Sequence, residues 1–552
     1  MNQRKPQRPG DRRPGKSSSG ENASGQGKSS RNQSRRRFPG LGKRRGNRPD
    51  QGSRRHSRGH RGGSRGSKVL IIGSGGREHA LALKISASRL VSKVFVAPGS
   101  AAMAEFAQCV NIRQDNVSDL ASLASRNQID LTIVGPEVPL AAGIVDHFTK
   151  RSLKIFGPTR NAARLESSKS FARHFMRRHN IPTASYRVYD DPNTAITFLR
   201  TAEYPLVIKA DGLAAGKGVV IANDFAQAAD TVKQMMIKRV FGKAGETILI
   251  ESCLQGPEVS IMAFCDGDSY WLMPPAQDHK RIGEGDIGPN TGGMGAYCPV
   301  SFVDEEFREV IDERVFGPVL KGMAQEGYPF KGILYAGLML TSSGPKVLEF
   351  NCRFGDPETQ VVLPLLESDL FEIMLKIANH RPAGVSQGPR KQSRKNESKR
   401  DSKESETNGV QFLRDLVDKY DTKEDETEPT APAPSKKPQL QWSNKVSATV
   451  TLASRGYPGR PDVGKKISGL DNVDRANVTV YHAGTKKVGG NWITSGGRVL
   501  NITGIGDNLD SALATTYREI QKVSFNGMQF RRDIGKTKGA ISASREVAQS
   551  TN

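Results

Sequence analysis

The sequence predicts a multidomain protein of mixed α/β and α+β class, and three features of its texture carry that prediction. Short apolar runs alternate with helically spaced segments from Lys68 to Gly157. A second set of runs, joined by hairpin-length gaps, fills 205–350, and a third, shorter set follows a charged stretch at 386–440. With 552 residues the chain exceeds what one hydrophobic core usually serves, so several domains are expected.

Residues 1–67 stand apart from everything after them. They hold 20 Lys and Arg against 3 Asp and Glu, with Met1, Phe38 and Leu41 as their large apolar side chains. Such a basic arm is expected to be disordered. Its motifs RRR (35–37), KRR (43–45) and RGGSRG (61–66) suit weak, non-specific contact with nucleic acid, although the near absence of aromatic side chains argues against base stacking. A solubilising tail fits the same composition better. No run of about 18 apolar residues occurs and no secretory signal opens the chain, so a cytoplasmic location without membrane contact is expected. The five cysteines lie far apart without a CxxC pair, which points to reduced thiols.

KVLII (68–72), KVFVA (93–97), LTIVG (131–135) and KIFG (154–157) read as strands of a small parallel α/β unit. GSGGREHA (73–80) follows the first strand and opens a helix, where free backbone N–H groups attract anions. A dinucleotide fingerprint fails here. Glu78 stands where the third glycine belongs, and the next strand ends in Ala97-Pro98-Gly99 without a ribose-binding acid. A phosphate or phosphosugar cradle helped by Arg77 and a plain tight turn satisfy the motif equally.

PLVIKA (205–210), GVVIA (218–222), TILIES (247–252), VSIMAF (259–264), GLMLT (337–341) and KVLEF (346–350) suggest a mixed or antiparallel sheet. Within KADGLAAGKGVV (209–220), the run Gly212–Gly218 is one residue short of a Walker A motif and lacks its Ser or Thr. A glycine loop between strands, holding Lys209 and Lys217 over a polyphosphate, fits better than a P-loop. Glu251 and Glu258 follow, seven residues apart, and QDHKRIGEGDIGPNTGGMGAY (277–297) is nearly empty of aliphatic residues, as a long functional loop would be.

VLEFNCRFGDPE (347–358) carries the sharpest chemistry. As a strand it places Leu348, Phe350, Cys352 and Phe354 on one face and Glu349, Asn351 and Arg353 on the other. Two hard oxygen donors beside a guanidinium make a platform for Mg²⁺ and phosphate. Residues 386–440 then hold 12 Lys and Arg and 11 Asp and Glu, a polyampholytic linker with helical spacing at 409–420. SATVTLAS (447–454), ANVTVYHAG (476–484) and GRVLNITGIG (497–506) read as strands of a small β-rich C-terminal domain.

Taken together, GSGGREHALA, IVGPEVPL, KIFGPT, KADGLAAGKGV, QDHKRIG, GPNTGGMGAY, LYAGLML, EFNCRFGDPETQ, SRGYPG, HAGT and GGRVL closely resemble the phosphoribosylamine–glycine ligase (glycinamide ribonucleotide synthetase) family of the ATP-grasp superfamily. The resemblance runs from about Lys68 to Gly535, broken by the insertion at 386–440. It implies a Rossmann-like pre-ATP-grasp domain at 68–168 that holds substrate and an ATP-grasp domain at 169–385 with a mobile lid at about 182–255. A C-terminal domain at 441–540 and a tail at 541–552 follow. The family joins glycine to 5-phosphoribosylamine through glycyl phosphate, using ATP, in de novo purine synthesis.

By this resemblance Glu349 and Asn351 hold Mg²⁺ or Mn²⁺ and Arg353 is catalytic, steadying the transferred phosphoryl group. Lys169, Lys209 and Lys217 meet the ATP phosphates under a loop containing Gly216 and Gly218, with Glu251 at the adenine and Glu258 at the ribose. Gly75, Gly76, Arg77, Glu78, Pro136, Glu137, Asp278, Asn290, Thr291, Gly292, Gly293 and Gly295 surround the phosphosugar and glycine. A monofunctional monomer is expected. The acidic metal ligand that many ATP-grasp enzymes carry about a dozen residues before the Glu is absent here, where Gly337-Leu338 stand, so a second metal has no assigned ligands. The rivals are another ATP-grasp carboxylate–amine ligase and a nucleic-acid-binding role for the arm.

Overall fold

The computed structural model describes residues 66–214, 218–382 and 440–536. The basic arm, most of the charged insertion with its 409–420 segment, Gly216 and Lys217 lie outside the described residues.

Strands β1 (Ser67–Gly73), β2 (Val91–Pro98), β3 (Gln108–Cys109), β4 (Leu131–Val134) and β5 (Ile155–Phe156) form a parallel sheet in the order β3-β2-β1-β4-β5. Val69, Leu70, Ile71 and Ile72 are all fully buried, as expected where helices cover both faces of a parallel sheet. The carboxyl end of β1, the central strand, leads through residues 74–75 into the helix Gly76–Ser86, so the glycine-rich turn sits at the carboxyl ends of the strands, where such folds bind ligands.

A separate antiparallel sheet, β6-β9-β7-β8, is built from β6 (Tyr186–Tyr189), β7 (Leu206–Ala210), β8 (Val219–Ala222) and β9 (Ile248–Ser252). It has its own core, with Ile208, Ala222, Val232 and Ile250 buried between the strands and the helices Pro192–Leu199 and Phe225–Val232. A second antiparallel sheet, in the order β11-β10-β16-β17, pairs β10 (Glu258–Asp266) with β11 (Tyr270–Leu272) and β16 (Lys331–Thr341), and β16 with β17 (Gly344–Asn351). The site strand β17 is thus an edge strand whose inner face, Val347, Phe350 and Cys352, joins the largest core.

Two expectations fail in this region. Residues 277–297 are not one loop: they form β12 (Gln277–Asp278), a hairpin of β13 (Arg281–Gly283) and β14 (Ile287–Asn290), and β15 (Gly295–Cys298). β12 and β15 extend a sheet of β18 (Val446–Ala453), β19 (Val478–His482) and β22 (Arg498–Gly506), in the order β12-β15-β18-β22-β19, while β20 (Thr485–Val488) and β21 (Asn491–Thr494) pair as a separate hairpin. Backbone pairing replaces the missing aliphatic side chains. Gly295 is needed at this junction because a Cβ there would lie 2.6 Å from the Thr449 carbonyl oxygen and 2.7 Å from Ile534 Cδ1.

Leu348 also changes sides. The register between β16 and β17 slips between Gly337 and Leu338, so Leu338 pairs with Val347 while Gly337 pairs with Glu349. This β-bulge leaves Val347 in the core and turns Leu348 out beside Glu349, away from the face shared by Phe350 and Cys352.

The first and last domains meet at a pair of buried histidines. The His482 backbone N–H donates to His79 Nδ1 at 2.8 Å, and the ring centroids are 5.8 Å apart. Burial is the main cause lowering the pKa of His79 from 6.5 to about 4 and that of His482 to about 3. Both are therefore neutral in the folded state, and the unfolded chain takes up their protons first as pH falls. Each histidine is expected to cost about 1.4 kcal/mol of stability per pH unit below 6.5, levelling off under the folded pKa. Thermal unfolding followed from pH 7 to 4 should show this decline, and a His79→Gln/His482→Gln double variant should flatten it.

Candidate active site

The row on β17 lies between two adjoining cavities of about 440 and 250 Å³, both lined by Leu348, Glu349, Asn351, Arg353 and Asp356. Its central carboxylate, Glu349, has no ion-pair or hydrogen-bond partner among the described residues. Burial works against its charge, but Lys280, Lys209, Lys169 and Arg353 outweigh burial and lower its pKa. Asn351 turns its Oδ1 toward Arg353, which donates to it from 3.2 Å. An ionised, unpaired carboxylate beside an amide oxygen is a fitting donor pair for a hard divalent cation.

Arg353 is held by a second tier of carboxylates. Its guanidinium lies 3.0 Å from Glu166 Oε1 and 3.3 Å from Glu137 Oε2, and donates to the Phe354 carbonyl at 3.1 Å. Glu166 also accepts the Cys352 backbone N–H at 2.8 Å, which fixes the strand end and the side chain together. The Glu137 pKa falls despite burial because Arg353 and Arg77 face it, whereas burial prevails at Glu166 and raises its pKa.

The cationic wall opposite is equally braced. Lys169 begins the helix Lys169–Arg178, capped by Ser168, and Arg173 follows one turn later on the same face. Lys169 Nζ donates to the Gly212 carbonyl at 3.3 Å. Arg173 grips Glu251 with two hydrogen bonds of 2.7 and 2.9 Å, and Lys209 Nζ meets the other side of Glu251 at 2.8 Å and the Leu348 carbonyl at 3.0 Å. Burial lowers the Lys209 pKa even though Glu251 opposes it. Glu251 is therefore spent on aiming Lys209, leaving its backbone neighbours Ser252, Cys253 and Leu254 on the wall of the smaller cavity.

That smaller cavity is apolar at Ala184, Val207, Ile221, Leu254, Met339 and Leu348, and polar at Lys209, Glu258, Lys280 and Asn290. Lys280 pairs with Glu258 at 2.8 Å, and Glu258 together with Asp278 holds the Lys280 pKa well up in spite of burial. The larger cavity takes its far wall from Gly75, Arg77, Glu78, Pro136 and Glu137, with Gly218 and Gly292 also on its lining. Glu78 is engaged locally: it accepts the Gly75 N–H at 2.7 Å and Arg77 Nε–H at 2.6 Å, which satisfies the free N-cap amide at the start of the helix Gly76–Ser86.

Asp278, Asn290, Thr291 and Gly292 line the smaller cavity, and three of the expected substrate residues, Gly76, Gly293 and Gly295, line neither. Gly76 packs against Gln360 and Asn501, and Gly295 against Thr449 and Ile534. Gly293, at φ +108°, is pressed against Pro357, where a Cβ would sit 2.3 Å from its Cδ. These glycines allow elements to approach one another.

Family models of phosphoribosylglycinamide synthetase match the chain in three consecutive pieces: the N domain over 67–166, the ATP-grasp (A) domain over 167–359 and the C domain over 447–537. A phosphoribosylamine–glycine ligase of Caldanaerobacter subterraneus subsp. tengcongensis is 43% identical over 467 residues, which cover 85% of this chain and 99% of that relative. The chain belongs to the phosphoribosylglycinamide synthetase family. It is also 43% identical over 471 residues to the trifunctional purine biosynthetic protein adenosine-3 of Gallus gallus, matching 42% of that longer protein and 85% of itself. The crystal structure of the Thermotoga maritima phosphoribosylamine–glycine ligase aligns with a TM-score of 0.64 at 29% identity, covering 85% of this chain and all of that one. A Campylobacter jejuni biotin carboxylase, at 14% identity and a TM-score of 0.60 over 88% of this chain and 97% of its own, shares the fold.

Within the synthetase, several site residues were not singled out by sequence reasoning. Arg173 and Glu166 sit in unremarkable helical stretches and carried no signal. Lys280, Asp356, Glu358 and Arg498 lie inside the blocks QDHKRIG, GDPE and GGRVL, so the signal was present at block level but pointed to no single side chain. Arg498 comes from β22 in the C domain, lines the larger cavity, and pairs with Asp356 at 2.9 Å. Among the described residues no helix is long and apolar enough to cross a membrane.

Proposed function

We propose that this synthetase, working in the cytoplasm, couples ATP cleavage to the ligation of glycine and 5-phosphoribosylamine, giving glycinamide ribonucleotide, ADP and phosphate. The observation that carries the reading is the Glu349–Asn351–Arg353 row on the wall common to both cavities. In this reading the adenine enters the apolar end of the smaller cavity against the backbone of 252–254, the ribose meets Glu258, and the phosphates run toward Lys209 and Lys169, beside Gly218. Phosphosugar occupies the larger cavity beside Gly75, Arg77 and Glu137.

Glu349 and Asn351 would hold Mg²⁺ or Mn²⁺, which when bound neutralises charge on the ATP phosphates. A glycine carboxylate oxygen attacks the γ-phosphorus, the bond to the bridging oxygen breaks, and ADP leaves with that electron pair. Arg353, pinned by Glu137 and Glu166, faces the charge on the transferred group. The neutral amine of the sugar then attacks the carbonyl carbon of glycyl phosphate, phosphate departs, and the nitrogen gives up one proton. Positioning supplies most of the rate, since the amine is already nucleophilic.

ADP formation from ATP and Mg²⁺ tests the reading directly. It should require glycine and freshly generated phosphoribosylamine together, and equal turnover with another amino acid or another amine acceptor would assign the chain to a different carboxylate–amine ligation.

A further inference from the structure

A third cavity, of about 800 Å³, shares no lining residue with the two that meet at β17. One wall comes from the N domain around β5, between Ser152 and Thr159. The other comes from 327–331 and from the end of the helix Leu370–Asn379 with the three residues after it. The walls touch where a Cβ on Gly332 would lie 3.0 Å from Gly157 Cα. Small-molecule sites fall in this size range, and an inorganic ion would fill little of it.

The charge of this groove is one-sided. Lys154, Lys331, His380 and Arg381 line it and no carboxylate does, whereas both active cavities carry several. No ion pair engages Lys154 or Arg381 among the described residues. Lys331 Nζ donates to the Ala378 carbonyl at 3.2 Å and the His380 carbonyl at 2.5 Å, which leaves one of its three N–H groups to spare. Burial lowers the Lys331 pKa although Asp266 and Asp268 oppose it, so an anion beside it would favour its charged form. Those two acids lie off the lining, with His380 Nε2 at 4.0 and 2.7 Å from them. Val145, Leu153, Ile155 and Pro329 give the same space apolar surface.

Cations without matching acids, beside apolar surface and in a space of this size, suit an organic body that carries a phosphate dianion. We infer that this groove binds a small phosphomonoester, of the size of a nucleoside monophosphate, and that its occupancy changes the rate of the reaction. Connectivity carries the second half. Thr159 lines the groove, and its carbonyl accepts the Ala163 N–H at 2.8 Å, at the turn into the helix Arg164–Ser167, where Glu166 meets Arg353 at 3.0 Å. Lys331 begins β16, the strand that pairs with β17. A ligand held by both walls thus bears on the two segments that set the Arg353 guanidinium.

Guanosine and uridine 5′-monophosphates are the probes, since they vary the body and keep the phosphate. Calorimetry on the full chain, with Mg²⁺ and a non-hydrolysable ATP analogue saturating, should give a Kd of about 100 µM or tighter for at least one of them. Lys154→Glu/Arg381→Glu should weaken that binding about 30-fold or more. Both residues are exposed and outside the active cavities, so the variant should keep its ADP formation within about twofold when no probe is present. In the wild type with all substrates saturating, the bound probe should change kcat at least about twofold, and the variant should not respond at the same concentration. No saturable binding by either probe overturns the inference, including the case in which the chain beyond Pro382 already fills the groove. So does binding that the variant leaves intact, which would place the probe in the active cavities, and so does binding without effect on kcat. Failure of the ligase reading looks different: no ADP would form before a probe is added, and calorimetry alone would then decide whether the groove is a site.

Discussion

Glu349→Gln is expected to reduce kcat/KM on the order of 10³-fold while leaving the protein folded. The substitution keeps the shape of the side chain and removes the one lining carboxylate that the surrounding cations hold ionised without claiming it as a partner. Those cations do not depend on it for their own burial. Lys280 keeps Glu258, Lys209 keeps Glu251, and Arg353 keeps Glu137 and Glu166. The unfolding midpoint should therefore move little, and the loss should appear with all substrates saturating. Retention of activity within tenfold of wild type would remove Glu349 from the platform. Arg353→Lys is the companion test, since a point charge cannot reproduce the fork that reaches Glu166, Glu137 and Asn351 at once, and a kcat loss of about 10²-fold is expected.

Glu349 and Asn351 were legible in the sequence because a strand's period of two sets their spacing to the end of β17, whereas Arg353 lies two residues past the strand and joins the row through its hydrogen bond to Asn351. Leu348 was misplaced for a reason the pattern cannot contain: the bulge is a property of the pairing with β16, and no residue type announces it. The stretch 277–297 was misread in a similar way. Its strands gain order from β18, which lies beyond the charged insertion, so the local composition looked like a loop. The parallel sheet was readable because Val69 to Ile72 are apolar throughout and Leu131 to Val134 are apolar but for Thr132, a signature that burial on both faces imposes. The braces of the site were hidden, because Glu166 with Arg353, Arg173 with Glu251 and Arg498 with Asp356 are each distant in sequence and ordinary when read singly. Residue type shows which side chains can do chemistry; what holds them still is set by the fold.

The same logic gives the C domain a measurable share in the reaction. Arg498 leaves β22 and donates to the Asp356 carbonyl at 2.7 Å, to the Gly292 carbonyl, and to Asp356 Oδ2 at 2.9 Å, while Gln360 holds the other Asp356 oxygen at 2.7 Å. One guanidinium thus ties the turn after β17 to the segment after β14, and Tyr457 of the same domain accepts the Gly292 N–H at 2.8 Å through its hydroxyl oxygen. Arg498→Ala leaves Asp356 nearly buried with its charge unmatched, a change that costs about 3–5 kcal/mol in pairs of this kind. The expected result is a clearly lowered unfolding midpoint together with a fall in kcat, because Asp356 and Gly292 line both cavities. Asp356→Asn in the Arg498→Ala background should recover part of the stability, since the unpaired charge is then gone. It should recover none of the kcat, since the tie between the segments is still cut. A double-mutant cycle with a coupling energy under about 0.5 kcal/mol would show that the two side chains are independent and that the C domain reaches the site by another route.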